Sequence, residues 1–147
     1  MLEMPFLDRR RALLGGAETA GLLALAAFLP RQARAEGEAV RKVFEHALPN
    51  LPGKVLTAVV VEYAPGGKSR PHRHDVSASV FAYVLSGSSI RSQVEGGEVG
   101  VYHAGQSWFE EPGAHHLVSE NVSATEPASL LAVLVADAGA RLTAYDD

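Results

Sequence analysis

The chain is divided into short apolar runs, and nearly every run is closed by glycine or proline. Residues 95–98, Glu-Gly-Gly-Glu, separate two such runs in a way that predicts a β-hairpin. The runs cover residues 55–63, 80–85, 89–94, 99–102, 106–110, 115–118 and 129–135. Short strands with frequent turn residues and no alternating helices predict an all-β antiparallel sandwich or small barrel.

The segment before these runs has a different spacing. Apolar residues at 39, 40, 43, 44 and 47 fall near the helical repeat, and Pro49 to Gly53 supply an end signal. We therefore predict a short amphipathic N-terminal helix and linker over residues 36–54, followed by a β-barrel over residues 55–147.

The first 35 residues have the order of an export signal. Arg9, Arg10 and Arg11 precede an uncharged stretch at residues 19–30, and Ala33-Arg34-Ala35 offers a small-x-small cleavage site. The paired arginines followed by x-Leu-Leu resemble a twin-arginine signal. We expect the twin-arginine export machinery as a partner and a periplasmic or secreted protein cleaved near Ala35. An uncleaved chain would stay tethered to the membrane, although 12 uncharged residues are too few to span it.

Composition excludes several classes of site. The 147 residues contain no cysteine, so disulfides, thiolate metal sites and a cysteine nucleophile are excluded. Any metal is held by nitrogen and oxygen ligands. The formal net charge of −4, without a basic run, argues against nucleic-acid binding.

Histidines carry the clearest chemical signal. His72 and His74 are two positions apart, so in a strand both imidazoles point to the same face. Adjacent residues such as His115 and His116 point to opposite faces, so only one of them can join the same site. His46 and His103 are expected at the surface.

Two segments around these histidines resemble the two motifs of the cupin superfamily. Residues 67–74 with 83–87 are similar to the first motif, and residues 105–116 to the second. The resemblance implies a small single-domain cupin, a jelly-roll-like barrel of two antiparallel sheets with a metal inside. It selects His116 as the third ligand beside His72 and His74, and it also allows a homodimer.

The usual cupin glutamate is missing from the first motif. Ala78, Ser79 and Val80 stand at the candidate positions, and none of them ligates a metal well. Glu110 shares strand parity with Trp108, and the resemblance to cupins implies that this position faces the barrel interior. Glu110 is therefore a candidate fourth ligand, or an acid or base; the alternative is a solvated rim position. Further pocket candidates, listed from strand position, are Gln93, Tyr83, Trp108 and His115, while Phe81 and Phe109 are expected in the core.

A three-histidine site suits Fe, Mn, Ni, Cu or Zn as a divalent ion. The family resemblance implies a small-molecule enzyme of dioxygenase, decarboxylase or isomerase type. Two alternatives stay open: a non-catalytic periplasmic binder of a small ligand or metal, and a barrel whose histidines are only a polar core. Convergence of the three histidines on one point would exclude the last reading.

Overall fold

The computed structural model describes residues 37–147, so the predicted signal segment at residues 1–35 lies outside the described residues. Every regular element in the described part is a β-strand. The ten strands are β1 (Glu38–Ala47), β2 (Lys54–Tyr63), β3 (His72–His74), β4 (Ser79–Ser86), β5 (Ile90–Val94), β6 (Gly100–Tyr102), β7 (Ser107–Glu110), β8 (His115–Asn121), β9 (Ala128–Asp137) and β10 (Thr143–Tyr145). No helix within residues 37–147 is long and apolar enough to cross a membrane.

The strands form two antiparallel five-stranded sheets. The first sheet has the order β1-β2-β9-β4-β7, and the second has the order β10-β3-β8-β5-β6. Neighbours in a sheet are mostly distant in sequence, which is the arrangement of a double-sheet jelly roll. The predicted all-β double-sheet barrel is therefore confirmed.

The inner faces of both sheets meet in an apolar core. Strand alternation sends Val61 and Tyr63 of β2, Val84 of β4 and Leu130 of β9 inward, and Ile90 of β5 meets them from the other sheet. Burying side chains of this size stabilises the fold by about 1.5–3 kcal/mol each. A cavity lies beside this core, and Val61, Tyr63 and Leu130 also line it.

The predicted N-terminal helix is wrong, because residues 38–47 form strand β1. The pairing of β1 with β2 shifts between Lys42 and Phe44, which places a bulge at Val43. A bulge inserts one residue and reverses the alternation of faces. Apolar residues on either side of it are consequently three or four positions apart, a spacing that imitates a helix. The barrel therefore begins at residue 38 rather than at residue 55.

Candidate metal centre

Three imidazoles meet inside the barrel from two neighbouring strands. His72 and His74 project from β3, and His116 projects from β8, which pairs with β3. In this register His72 lies directly opposite His116, and Arg73 lies opposite His115. Residues opposite each other in an antiparallel pair share a face. The register therefore brings His116 inward with His72 and turns His115 outward.

The ligand atoms of the three histidines lie close enough to share one ion. Each of His72, His74 and His116 offers a nitrogen within 4.8 Å of those of the other two. A single point therefore lies within about 2.8 Å (4.8/√3) of all three. The three predicted ligands are brought together, and all three side chains are buried.

Backbone carbonyls orient two of the imidazoles. Nδ1 of His72 donates to the carbonyl of Arg70 at 2.7 Å, and Nδ1 of His74 donates to the carbonyl of Leu142 at 3.0 Å. Because a carbonyl only accepts, both rings carry a proton on Nδ1, which makes Nε2 the nitrogen available to a metal. A hydrogen bond to the remote ring nitrogen is the usual outer contact of a metal-bound histidine. His116 differs, since its Nε2 lies 3.0 Å from Ser92 Oγ and its Nδ1 faces the site.

The Glu110 carboxylate completes the cluster. Only 2% of Glu110 is exposed. Its Oε2 lies 3.2 Å from His74 Nε2, and its Oε1 lies 3.2 Å from His116 Nδ1 and accepts a 2.9 Å hydrogen bond from Trp108 Nε1. Of the two alternatives drawn from the sequence, the structure places this residue in the interior and not at a solvated rim.

Glu110 lies beside the place where the cupin motif would have put its glutamate. Glu110 on β7 is the direct cross-strand partner of Val80 on β4. Val80 is one of the positions where the cupin pattern would have supplied a carboxylate. The neighbouring strand thus brings an acid to the same region of the inner face.

Burial and charge act in opposite directions on these groups. Burial lowers the pKa of His72 to about 4 and also lowers the pKa of His116, so both rings are neutral at neutral pH. Burial also opposes charge on His74 and Glu110, but their hydrogen bond to each other outweighs it, together with the Leu142 carbonyl at His74 and with His116 and Trp108 at Glu110. The pKa of His74 is therefore above its ordinary value, and that of Glu110 is below.

The donor set fits a divalent transition metal. Three imidazoles and one carboxylate are ligands for such ions, and two ligands of one tetrahedral ion lie about 3.4 Å apart when each bond is about 2.1 Å. The 3.2 Å separation between Glu110 Oε2 and His74 Nε2 matches this spacing. In addition, Glu110 Oε2 is buried without a well-formed hydrogen bond. Such an atom is costly unless a cation or proton satisfies it.

The site opens into a small cavity of about 130 Å³. Most of its wall is apolar, and Val59, Val61, Leu130, Ala132 and Leu134 contribute to it. The cavity therefore suits a very small molecule whose polar group meets the histidines.

A second carboxylate lines the same cavity and was not anticipated from the sequence. Glu38 at the start of β1 is buried and accepts a hydrogen bond from the Ser69 hydroxyl. Tyr63 OH lies 2.7 Å from Ser69 Oγ and 2.7 Å from Ser119 Oγ. Each hydroxyl has one proton, so the Ser69 proton on Glu38 requires Tyr63 to donate to Ser69 and Ser119 to donate to Tyr63. Burial raises the pKa of Glu38, and this hydrogen bond partly offsets the rise.

Removing the Tyr63 hydroxyl is expected to destabilise the protein. Tyr63→Phe keeps the buried ring but removes two hydrogen bonds. Ser69 loses the hydroxyl that donates to it, and Ser119 loses the hydroxyl to which it donates. The loss is expected at about 1–3 kcal/mol, the cost of unsatisfied buried polar groups. Urea unfolding of wild type and variant measures it. Tyr102→Phe is the matched control, because Tyr102 stacks on Trp108 with its ring. Equal free energies of unfolding for Tyr63→Phe and wild type would contradict the hydroxyl chain.

The C-terminal strand covers the histidines. Leu142, whose carbonyl accepts from His74, comes directly before β10. Strand β10 itself brings the Tyr145 ring to 5.8 Å from the His72 ring. Arg70 lies over the outer side of Tyr145, 5.3 Å from the ring centre, and donates to the carbonyl of Asp146 at 2.7 Å. Strand β10 was not predicted from the sequence, because three residues show almost no periodicity.

Several predicted pocket residues lie elsewhere. Tyr83 and Phe81 alternate with the inward residues of β4 and are exposed on the outer face, as is Phe109 on β7. Gln93 donates to the carbonyl of Gly97 in its own hairpin, and His115 contacts Asp146 on the outside of the second sheet. The pocket assignments of Tyr83, Gln93 and His115 and the core assignments of Phe81 and Phe109 were therefore wrong, since the sequence does not determine which face of a strand points inward. Trp108 does line the cavity.

Comparison with known proteins agrees with this architecture. The family model described as a cupin domain matches residues 59–134, more than half of the chain. No curated protein matches the sequence.

Solved structures with the same fold include enzymes. An oxalate oxidase in complex with the substrate analogue glycolate superposes with a TM-score of 0.59 at 20% identity, covering 77% of this chain and 57% of that one. A DMSP lyase from Ruegeria pomeroyi gives 0.52 at 21% identity, covering 61% and 42%. An uncharacterized protein with a double-stranded β-helix domain from Klebsiella pneumoniae gives 0.58 at 22% identity, covering 80% and 90%. The chain thus spans little more than half of the oxalate oxidase, and at these identities the likeness shows the fold alone.

Proposed function

Since the chain belongs to the cupin domain family, we propose that it is a metal-dependent enzyme acting on a very small molecule. The observation that carries the proposal is Glu110, a buried carboxylate 3.2 Å from two of the three clustered histidines. A purely structural polar core has no need for a carboxylate oxygen left without a well-formed hydrogen bond. The open cavity beside the cluster supplies room for a substrate.

In this proposal His72, His74 and His116 hold a divalent ion, and Glu110 is the fourth ligand through Oε2. Oε2 is assigned because Oε1 is already bonded to Trp108. Fe, Mn, Ni, Cu and Zn all suit these ligands. When bound, such an ion polarises a substrate oxygen or brings a substrate and O₂ together.

The remaining residues bind and orient the substrate. The apolar wall excludes water around the reacting group, which strengthens every electrostatic contact there. Glu38 accepts a hydrogen bond from a substrate hydroxyl or amine, while Ser69 and Tyr63 hold its carboxylate in place. Family resemblance allows dioxygenation, decarboxylation or isomerisation. Two enzymes of the same fold are named for the small substrates oxalate and DMSP, which supports a substrate of that size.

The test is metal analysis followed by a substrate screen. Protein purified from its natural compartment is expected to contain about one divalent ion per chain. Small dicarboxylates, catechols and sugars are then incubated with it under air and under nitrogen, and products are followed by mass spectrometry. Turnover that disappears in a His72→Ala variant supports the proposal. Ligand binding without product formation, across the screen and in both atmospheres, would instead favour the non-catalytic binder.

We also propose export through the twin-arginine machinery, on the signal at residues 1–35, and a homodimer. That machinery carries folded proteins, which allows the metal to be loaded before export.

A further inference from the structure

The cavity opens to the surface between the edge strands of the two sheets. Strand β1 is one edge of the first sheet, and β10 is one edge of the second. Among the described residues that line the cavity, only Val40 on β1 and Tyr145 on β10 are exposed, by 46% and 42%. The other lining residues are buried or half-buried. The mouth of the cavity therefore lies between these two side chains.

Tyr145 stands between this mouth and the histidines. In the register of β10 with β3 it lies directly opposite His72. The centres of the two rings are 5.8 Å apart, and their planes meet at 65°, an edge-to-face arrangement. Because Tyr145 is also exposed at the mouth, a ligand that enters there meets this ring before it reaches the histidines.

Arg70 holds the Tyr145 ring in this position. Its guanidinium lies over the ring, 5.3 Å from the centre, and donates a 2.7 Å hydrogen bond to the Asp146 carbonyl. The Asp146 amide in turn donates to the Pro71 carbonyl at 3.1 Å. Arg70 is itself exposed, and an exposed cation–π contact changes an equilibrium by a factor of only about two to five. The position of the ring is therefore favoured without being fixed.

The electrostatic surroundings of Tyr145 agree with a ring that extends across the mouth. Burial raises the pKa of Tyr145, and the negative charge of Glu38 raises it further, while Arg70 opposes the rise. Glu38 lies on β1, the strand on the other side of the mouth, and lines the same cavity. The phenol hydroxyl is thus close enough to β1 to interact with a carboxylate there.

We propose that Tyr145 is the gate of the cavity and Arg70 its clamp, and that the gate limits the ligands reaching the histidines to molecules about as small as acetate. The inference rests on the proposed function, because it concerns access to the same centre. An aromatic acid needs a passage as wide as the Tyr145 ring itself, so the ring excludes it while it lies across the mouth. Removal of the ring leaves an opening of matching shape, and apolar openings of this kind accept an aromatic molecule.

Fluorescence quenching tests the gate and does not depend on the metal. Trp108 is the only tryptophan of the chain and lines the cavity, so acrylamide that passes the mouth quenches it. Arg70→Gln removes the clamp and is expected to raise the quenching constant by about two- to fivefold. Tyr145→Ala removes the gate and is expected to raise it by at least as much. Tyr83→Ala is the matched control, because Tyr83 is exposed on the outer face of the first sheet.

The control is expected to have the quenching constant of the wild type, and all the variants are expected to keep its far-UV circular dichroism. Equal quenching constants for Tyr145→Ala and Tyr83→Ala would overturn the gate. An effect of Tyr145→Ala without one of Arg70→Gln would overturn the role of Arg70 as its clamp.

Two carboxylates of different size test the limit at the centre itself. Each protein is loaded with Co²⁺, and the visible absorption of the ion is followed as acetate or benzoate is added. Acetate is expected to change the spectrum of the wild type and of Tyr145→Ala, and benzoate only that of Tyr145→Ala. Equal responses of the two proteins to benzoate would overturn the size limit. A wild-type protein that binds no Co²⁺ would instead contradict the proposed metal centre, and the quenching experiment would still decide the gate.

Discussion

His74→Ala is expected to abolish metal retention. His74 is one of three clustered nitrogen donors, and its ring is oriented by the 3.0 Å hydrogen bond that Nδ1 donates to the Leu142 carbonyl. Loss of an outer contact of a metal ligand already costs about 10–100-fold in affinity, and loss of the ligand itself costs more. Elemental analysis of purified protein after dialysis is expected to find the variant empty under conditions where the wild type keeps its ion.

His115→Ala is the control for this experiment. It also removes a histidine side chain, from β8, the strand that pairs with β3. His115, however, lies on the outside of the second sheet against Asp146. The control is expected to retain metal as the wild type does. Full metal occupancy in His74→Ala would contradict the assignment of the three-histidine cluster as the metal centre.

Glu110→Gln is expected to weaken metal binding by more than the about 10–100-fold that loss of an outer contact costs, and to abolish turnover of any substrate found. The substitution keeps the size of the side chain and replaces a charged ligand oxygen with a neutral amide. The natural control is Glu111→Gln, which changes the next residue in sequence, an exposed one, and is expected to leave affinity unchanged. Wild-type affinity in Glu110→Gln would exclude Glu110 as a ligand.

The same variant has an expected effect on the metal-free protein. Burial favours neutral His74, and the Glu110 carboxylate is the main group that holds its pKa above the ordinary value. Without the charge, burial prevails, so the pKa of His74 is expected to fall below about 6.5. An NMR titration of His74 measures this shift. An unchanged pKa would contradict the 3.2 Å contact itself, whereas unchanged metal affinity would contradict only the role as ligand.

Turn residues and apolar runs were enough to predict most of the fold. Seven of the strands follow from short runs ended by glycine, proline or small polar residues, and the hairpin around residues 95–98 is present as β5 and β6. Two elements were not predicted: β1, because a bulge at Val43 broke the alternation, and β10, because it has only three residues. Local pattern depends on parity, and one inserted residue is sufficient to reverse it.

The site was predicted in part, for a similar reason. His72 and His74 are two residues apart on one strand, so their shared face follows from strand geometry alone. The choice of His116 over His115 came from resemblance to a family, and the register of β3 with β8 now supplies its physical basis. Tyr83 and Gln93 were assigned to the pocket without knowledge of the direction in which their strands faced.

The order of amino acids already contained the strand class, the nitrogen and oxygen chemistry of the site and the first two histidines, because each depends on neighbours a few residues away. The third histidine, the Glu110 carboxylate opposite Val80, the Glu38 hydroxyl chain and the cover formed by β10 depend on which distant strands lie side by side. That pairing is set by the packing of two whole sheets around one core, and no short segment of the chain contains it.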